Sequence, residues 1–186
     1  AACKEDESKE DAACKEDVAM SSKCLEDDKV NICPTVSNFI NAVTSRPALA
    51  NGPRIVGRTA LSIAAYYGHA EIVRTLLTAP GIDVNVANKW GSTPLHLAIV
   101  KERLDVVKEL LAVDDIDVNK ADSDRWTPLL VAASRGRIDC VQALLAAPGL
   151  DVNAMDSDGW TPLFAAASGG RTDYVQALLG APGIDV

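Results

Sequence analysis

Apolar positions in the second half of the chain follow a short recurring code. A threonine precedes an apolar run with small residues in it, two apolar pairs follow at helical spacing, and a brief extended stretch closes the unit. The clearest copy spans 88–121: Thr93-Pro94-Leu95-His96-Leu97-Ala98, then Val106-Val107 and Leu110-Leu111, then Ile116-Asp117-Val118-Asn119. The same letters return at a shift of 34 residues. Thr-Pro-Leu stands at 93, 127 and 161, with Thr59-Ala60-Leu61 one period earlier, and Asp-Val-Asn stands at 83, 117 and 151. A fixed period of this length predicts a solenoid of stacked supersecondary units.

Each unit predicts two helices and a loop. Thr59, Thr93, Thr127 and Thr161 can cap a first helix through their hydroxyls, and Pro94, Pro128 and Pro162 suit its first position, where no N–H is needed. Gly68, Gly136 and Gly170 stand where a left-handed residue would end it. A second helix opens with an acid in its first turn (Glu71, Asp105, Asp139, Asp173), favourable to the helix dipole. It stops at Ala79-Pro80-Gly81, Ala147-Pro148-Gly149 and Ala181-Pro182-Gly183, because proline cannot continue the hydrogen-bond ladder. A finger-like loop such as Ile82-Asp83-Val84-Asn85 then leads through the turn Asn88-Lys89-Trp90-Gly91 to the next threonine. Repeats are expected at 54–87, 88–121, 122–155 and 156–186. Ahead of them, Phe39, Ile40, Val43 and Pro47 read as a degenerate half-repeat at 34–53 that caps the array.

The first 33 residues differ. Residues 1–29 hold five Lys against ten Asp and Glu, so -5 of the chain's net charge of -8 sits there, in a segment with few large apolar side chains. Cys3-Lys4-Glu5-Asp6, Cys14-Lys15-Glu16-Asp17 and Cys24-Leu25-Glu26-Asp27 recur in it, as low-complexity duplication would produce. A sharper reading pairs Cys3 with Cys33 and Cys14 with Cys24 as a nested hairpin. Helical geometry favours half of this: cysteines eleven apart share a face, whereas Cys24 and Cys33 point to opposite faces. Zinc is not expected, for want of close Cys or His pairs.

Charge and composition narrow the function. An acidic chain does not suit a nucleic-acid backbone, which draws on clustered Lys and Arg, and no run of 18 apolar residues predicts a membrane span. No catalytic residue, metal site or cofactor is expected. Cys140 has no histidine in its own repeat, so a Cys-His nucleophile is not supported, and no phosphate loop appears. Asp122 with Asp124, and Asp156 with Asp158, could suggest a cation site, but aspartates bonding their own turn backbone explain them better. The compartment stays open: intracellular by default, oxidising if the N-terminal cysteines pair.

Thr93-Pro94-Leu95-His96-Leu97-Ala98 resembles the T-P-L-H-x-A signature of the ankyrin repeats, and Gly68-His69-Ala70-Glu71-Ile72-Val73 and Asp156-Ser157-Asp158-Gly159-Trp160-Thr161-Pro162-Leu163 resemble other parts of that consensus. The resemblance covers about 54–186. It implies an all-α ankyrin-repeat solenoid of helix-turn-helix units with finger loops, and a non-enzymatic scaffold for protein–protein interaction. His69 and His96 fall at consensus structural positions. His96 is replaced by Ser62, Leu130 and Phe164 in the other copies, so the family's histidine–threonine hydrogen bond is expected once. Arg125 replaces the glycine of Gly91 and Gly159, and Asp114-Asp115 replaces Pro-Gly. Local strain is therefore expected in the third repeat.

The family's concave face, built from finger tips and first helices, maps by position onto Tyr66, Tyr67, Trp90, Lys101, Asp124, Trp126, Arg135, Asp158 and Trp160. A protein or peptide partner is expected there, with Trp126 and Trp160 open to a second role as finger packing. Cations also gather after the first helix, at Lys101, Arg103, Arg135, Arg137 and Arg171, where they would suit a helix C-terminus. Tyr174-Val175 and Leu178-Leu179 are as apolar as any internal copy. This leads us to expect a longer parent chain or another subunit over the last helices, and hence an alternative role: a structural subunit or linker fixed in a larger complex by its N-terminal segment and array ends.

Overall fold

The computed structural model describes residues 59–185. The half-repeat at 34–53 and the cysteines Cys3, Cys14, Cys24 and Cys33 lie outside them. Among the described residues are eight helices and no strand: α1 (Ala60–Tyr67), α2 (Ala70–Leu77), α3 (Pro94–Val100), α4 (Leu104–Leu111), α5 (Pro128–Arg135), α6 (Ile138–Leu145), α7 (Pro162–Ser168) and α8 (Thr172–Leu179). The two helices of each repeat pack on one another. First helices then pack on first helices, in the order α1, α3, α5, α7, and second helices on second helices, in the order α2, α4, α6, α8. This is the predicted all-α solenoid.

Short helices of this kind are marginal alone, so their ends are closely specified. Thr59, Thr93, Thr127 and Thr161 each accept a hydrogen bond from the amide three residues on, and proline takes the first turn of α3, α5 and α7. Gly68 and Gly136 end α1 and α5 in the left-handed conformation. The second helices have no side-chain N-cap and depend more on packing.

That packing repeats with the period. Leu61, Leu95 and Leu129 on the first helices and Leu76, Leu110, Leu144 and Leu178 on the second are fully buried, and Ala64, Ala98, Ala132 and Ala166 hold the buried small position between them. These leucines fill the core at each repeat, and alanine lets neighbouring first helices approach.

Polar groups also tie the repeats together. Asn85 donates from Nδ2 to the Asp115 carbonyl (2.7 Å) and accepts at Oδ1 from the Asp117 amide (2.9 Å). Asn119 does the same with Gly149 and Asp151, and Asn153 with Gly183 and Asp185. One amide side chain thus satisfies a donor and an acceptor of the next repeat that would otherwise need water. At the other edge of the stack, cations suit the carbonyl end of a helix. Arg103 donates to the Tyr66 carbonyl (3.4 Å), and Arg171 to the carbonyls of Ala133 and Ser134.

Two expectations about local strain are refined. Arg125 is left-handed as foreseen, at φ 63°, but so is Glu102 at φ 56°, which stands where the other repeats have Gly68, Gly136 and Gly170. Asp115, in the place of Gly81, Gly149 and Gly183, does not take positive φ, so the Asp114-Asp115 turn avoids that strain. The histidine–threonine bond also has a counterpart: Ser62 Oγ accepts from the Thr59 amide at 2.9 Å and donates to the Thr59 carbonyl at 2.8 Å.

Candidate partner-binding face

Among the described residues the fingers end in one turn repeated three times. Asn88 Oδ1 accepts from the amides of Trp90 and Ser92, Asp122 Oδ1 from those of Asp124 and Trp126, and Asp156 Oδ1 from those of Asp158 and Trp160, each at 2.9–3.0 Å. Asp122 and Asp156 are therefore turn anchors. This leaves Asp124 and Asp158 as the exposed carboxylates of the tips.

Adjacent tips are bonded in register, Ser123 N–H to the Trp90 carbonyl (3.0 Å) and Ser157 N–H to the Asp124 carbonyl (3.3 Å). Trp90, Asp124 and Asp158 consequently form one row, at the same position of successive fingers. Gly91 makes the first of these contacts possible. It lies at φ 80°, and a Cβ there would come within 2.6 Å of the Ser123 nitrogen.

The predicted face residues divide into groups. Tyr66 is buried, 6% exposed, rather than presented as an anchor, because Tyr67 packs edge-on against it at 5.2 Å and Lys101 Nζ lies 4.7 Å from its ring. Tyr67, Lys101 and Arg135 are half-buried. Trp90 and Trp126 are half-buried too, Trp90 with Lys89 Nζ 4.2 Å from its ring and Trp126 packed against the core. Trp160 is 38% exposed and meets Phe164 edge-to-face at 4.5 Å.

Two of the cations after the first helices, Arg103 and Arg171, are occupied by the carbonyls of the preceding repeat, and Arg137 pairs with Glu102. The sequence reading missed this use of arginine, and the Asn85, Asn119 and Asn153 ladder with it. The signal that could have found both is their recurrence at the repeat interval.

The ionisable interior is small. Burial lowers the pKa of His96, opposed by the Trp126 carbonyl and Asp122; burial and then Arg103 lower that of His69. Burial raises the carboxyl of Asp122, against the backbone N–H of Trp126 and the charge of His96. Cys140 is a buried free thiol, raised by burial and Asp139 and lowered by Arg137, which makes it a poor nucleophile. Among the described residues no group of three or more His, Cys, Asp or Glu could hold a metal, and no helix is long and apolar enough to cross a membrane.

A family model described as ankyrin repeats (3 copies) matches residues 31–122 and 114–186. The chain belongs to the ankyrin repeat family. Ankyrin repeats generally mediate protein–protein interaction and are typically non-enzymatic. No curated protein matches the chain.

Proposed function

We propose that this ankyrin repeat chain is a non-enzymatic scaffold that binds a protein or peptide along the face of its finger tips and first helices. The observation that carries the reading is the bonded row of tips. It holds Trp90, Asp124 and Asp158 in line on a rigid backbone, so little conformational freedom is lost when a partner docks. Trp160 adds exposed aromatic area beside Asp158, and large aromatics are the commonest anchors of interfaces. The two aspartates favour a partner that presents basic residues next to an apolar one, with charge chiefly raising the encounter rate.

The test is a photo-crosslinking amino acid placed at Asp158 and, as a control, at Asp173 on α8, in native extract. Adducts formed through position 158 and absent from 173 support the reading; adducts through 173 alone contradict it.

A second reading, a structural subunit fixed in a larger assembly, is favoured by the outer side of the last helix pair. Phe164 and Leu179 there are 56% and 47% exposed, an apolar surface suited to a covering partner.

A further inference from the structure

Three junctions join the four repeats, and the middle one is built differently. At the first, Arg103 lies over Gly68, whose missing Cβ leaves room for the arginine Cδ at 2.6 Å, and reaches the Tyr66 carbonyl. At the third, Arg171 passes Gly136 to the carbonyls of Ala133 and Ser134.

At the middle junction Glu102 occupies the glycine position, at positive φ, and Arg137 pairs with its carboxylate instead. The Nε of Arg137 is left buried with no hydrogen-bond partner. Beside it a cleft of about 260 Å³ opens between Glu102, Leu104, Ile138 and Cys140. The finger that closes this junction carries Arg125, the other non-glycine residue at positive φ among the described residues.

The junction's other edge is held by a buried imidazole. His96 Nδ1 accepts from the Thr93 amide (3.2 Å) and lies 2.8 Å from the Thr93 hydroxyl, while Nε2 lies 3.0 Å from the Trp126 carbonyl of the next repeat. Only the neutral Nε2–H tautomer satisfies both sides. A proton added at Nδ1 would face the Thr93 N–H. From the finger of the third repeat, Asp122 acts on the ring. The ionisable side chains of α1 and α5 (Tyr66, Tyr67, Arg135) stand at the far ends of those helices, and α4 turns Val106, Val107 and Leu110 inward.

We infer that the junction between the second and third repeats is an acid- and salt-sensitive joint, at which the array opens into two halves before its other junctions yield. Solenoid stability is a sum of units and nearest-neighbour interfaces, so one weak interface can open while its neighbours hold.

The sign of the acid effect follows from burial. The imidazole is harder to protonate folded than unfolded, so stability is complete above the unfolded value near 6.5 and falls as pH drops below it. The raised carboxyl of Asp122 acts in the opposite sense, but starting from the carboxylate range well below. High salt screens the Glu102–Arg137 pair, whose glutamate is exposed and whose arginine is partly buried.

Amide hydrogen exchange on the full chain carrying His69→Gln, which leaves His96 as its one histidine, tests this at pH 7.5 and pH 5.5 after correction for intrinsic rates. Protection at Ser123, whose N–H bonds to the Trp90 carbonyl across this junction, and around residue 138 should fall on acidification by a factor approaching ten per pH unit, the limit for one proton, while α1–α2 and α7–α8 hold. High salt should loosen the same segments. Adding His96→Gln, which keeps a donor and an acceptor without titrating, should abolish the acid response, and Glu102→Gly should abolish the salt response. Uniform loosening, loosening first at another junction, or an acid response that survives His96→Gln would overturn the joint.

Discussion

Leu130 and Phe164 occupy the same position one repeat apart, yet Leu130 is fully buried and Phe164 is 56% exposed. What separates them is the next repeat, which covers α5 with α7. Leu130→Ala should therefore cost about 2–5 kcal/mol by leaving a cavity, whereas Phe164→Ala should cost about 1 kcal/mol or less, for its edge contact with Trp160. Chemical denaturation of the two variants measures both, and equal losses would mean that junctions do not carry the core. Leu110→Ala, on the fully buried face of α4, belongs with Leu130.

Asn119 supplies two cross-repeat hydrogen bonds. At about 0.5–1.5 kcal/mol net for each, Asn119→Ala should destabilise by about 1–3 kcal/mol, and Asn119→Asp, which keeps only an acceptor, by roughly half of that. Urea midpoints at constant slope provide the check. A neutral Asn119→Ala would show that water replaces the ladder.

Arg125→Gly should stabilise the chain. The left-handed conformation costs an ordinary residue about 1–2 kcal/mol, and the freer unfolded chain of a glycine returns about 0.4–1 kcal/mol. The net gain is about 0.5–1 kcal/mol, visible as a small rise in Tm by calorimetry. A lowered Tm would mean that the Arg125 side chain makes up for its backbone.

The repeat frame was legible because each of its parts is local. Thr93-Pro94 specifies a helix start wherever it occurs, and a leucine every 34 residues specifies what must face inward. Arg125 was legible as strain because a glycine is plainly replaced there. Glu102 carried the same signal, replacing the glycine of Gly68, Gly136 and Gly170, and it was missed. Tyr66 was misjudged as an exposed anchor. Position in the frame locates a side chain on a helix, but Tyr67 and Lys101 decide whether it is covered, and those contacts depend on packing that no period encodes. The arginine contacts were read as dipole complementarity at their own helix end, whereas Arg103 and Arg171 serve the end of the preceding repeat.

Whether the row of finger tips binds a partner is decided by partner affinity measured against that row. For the protein crosslinked through position 158, Kd and association rate should be determined for the wild-type chain and for an Asp124→Lys, Asp158→Lys variant with an unchanged circular dichroism spectrum. Both positions are exposed, so the fold should be kept. Binding by the variant should weaken by about tenfold or more, chiefly through slower association and with a salt dependence that shrinks or reverses. An unchanged Kd with an unchanged association rate would place the binding surface elsewhere on the chain.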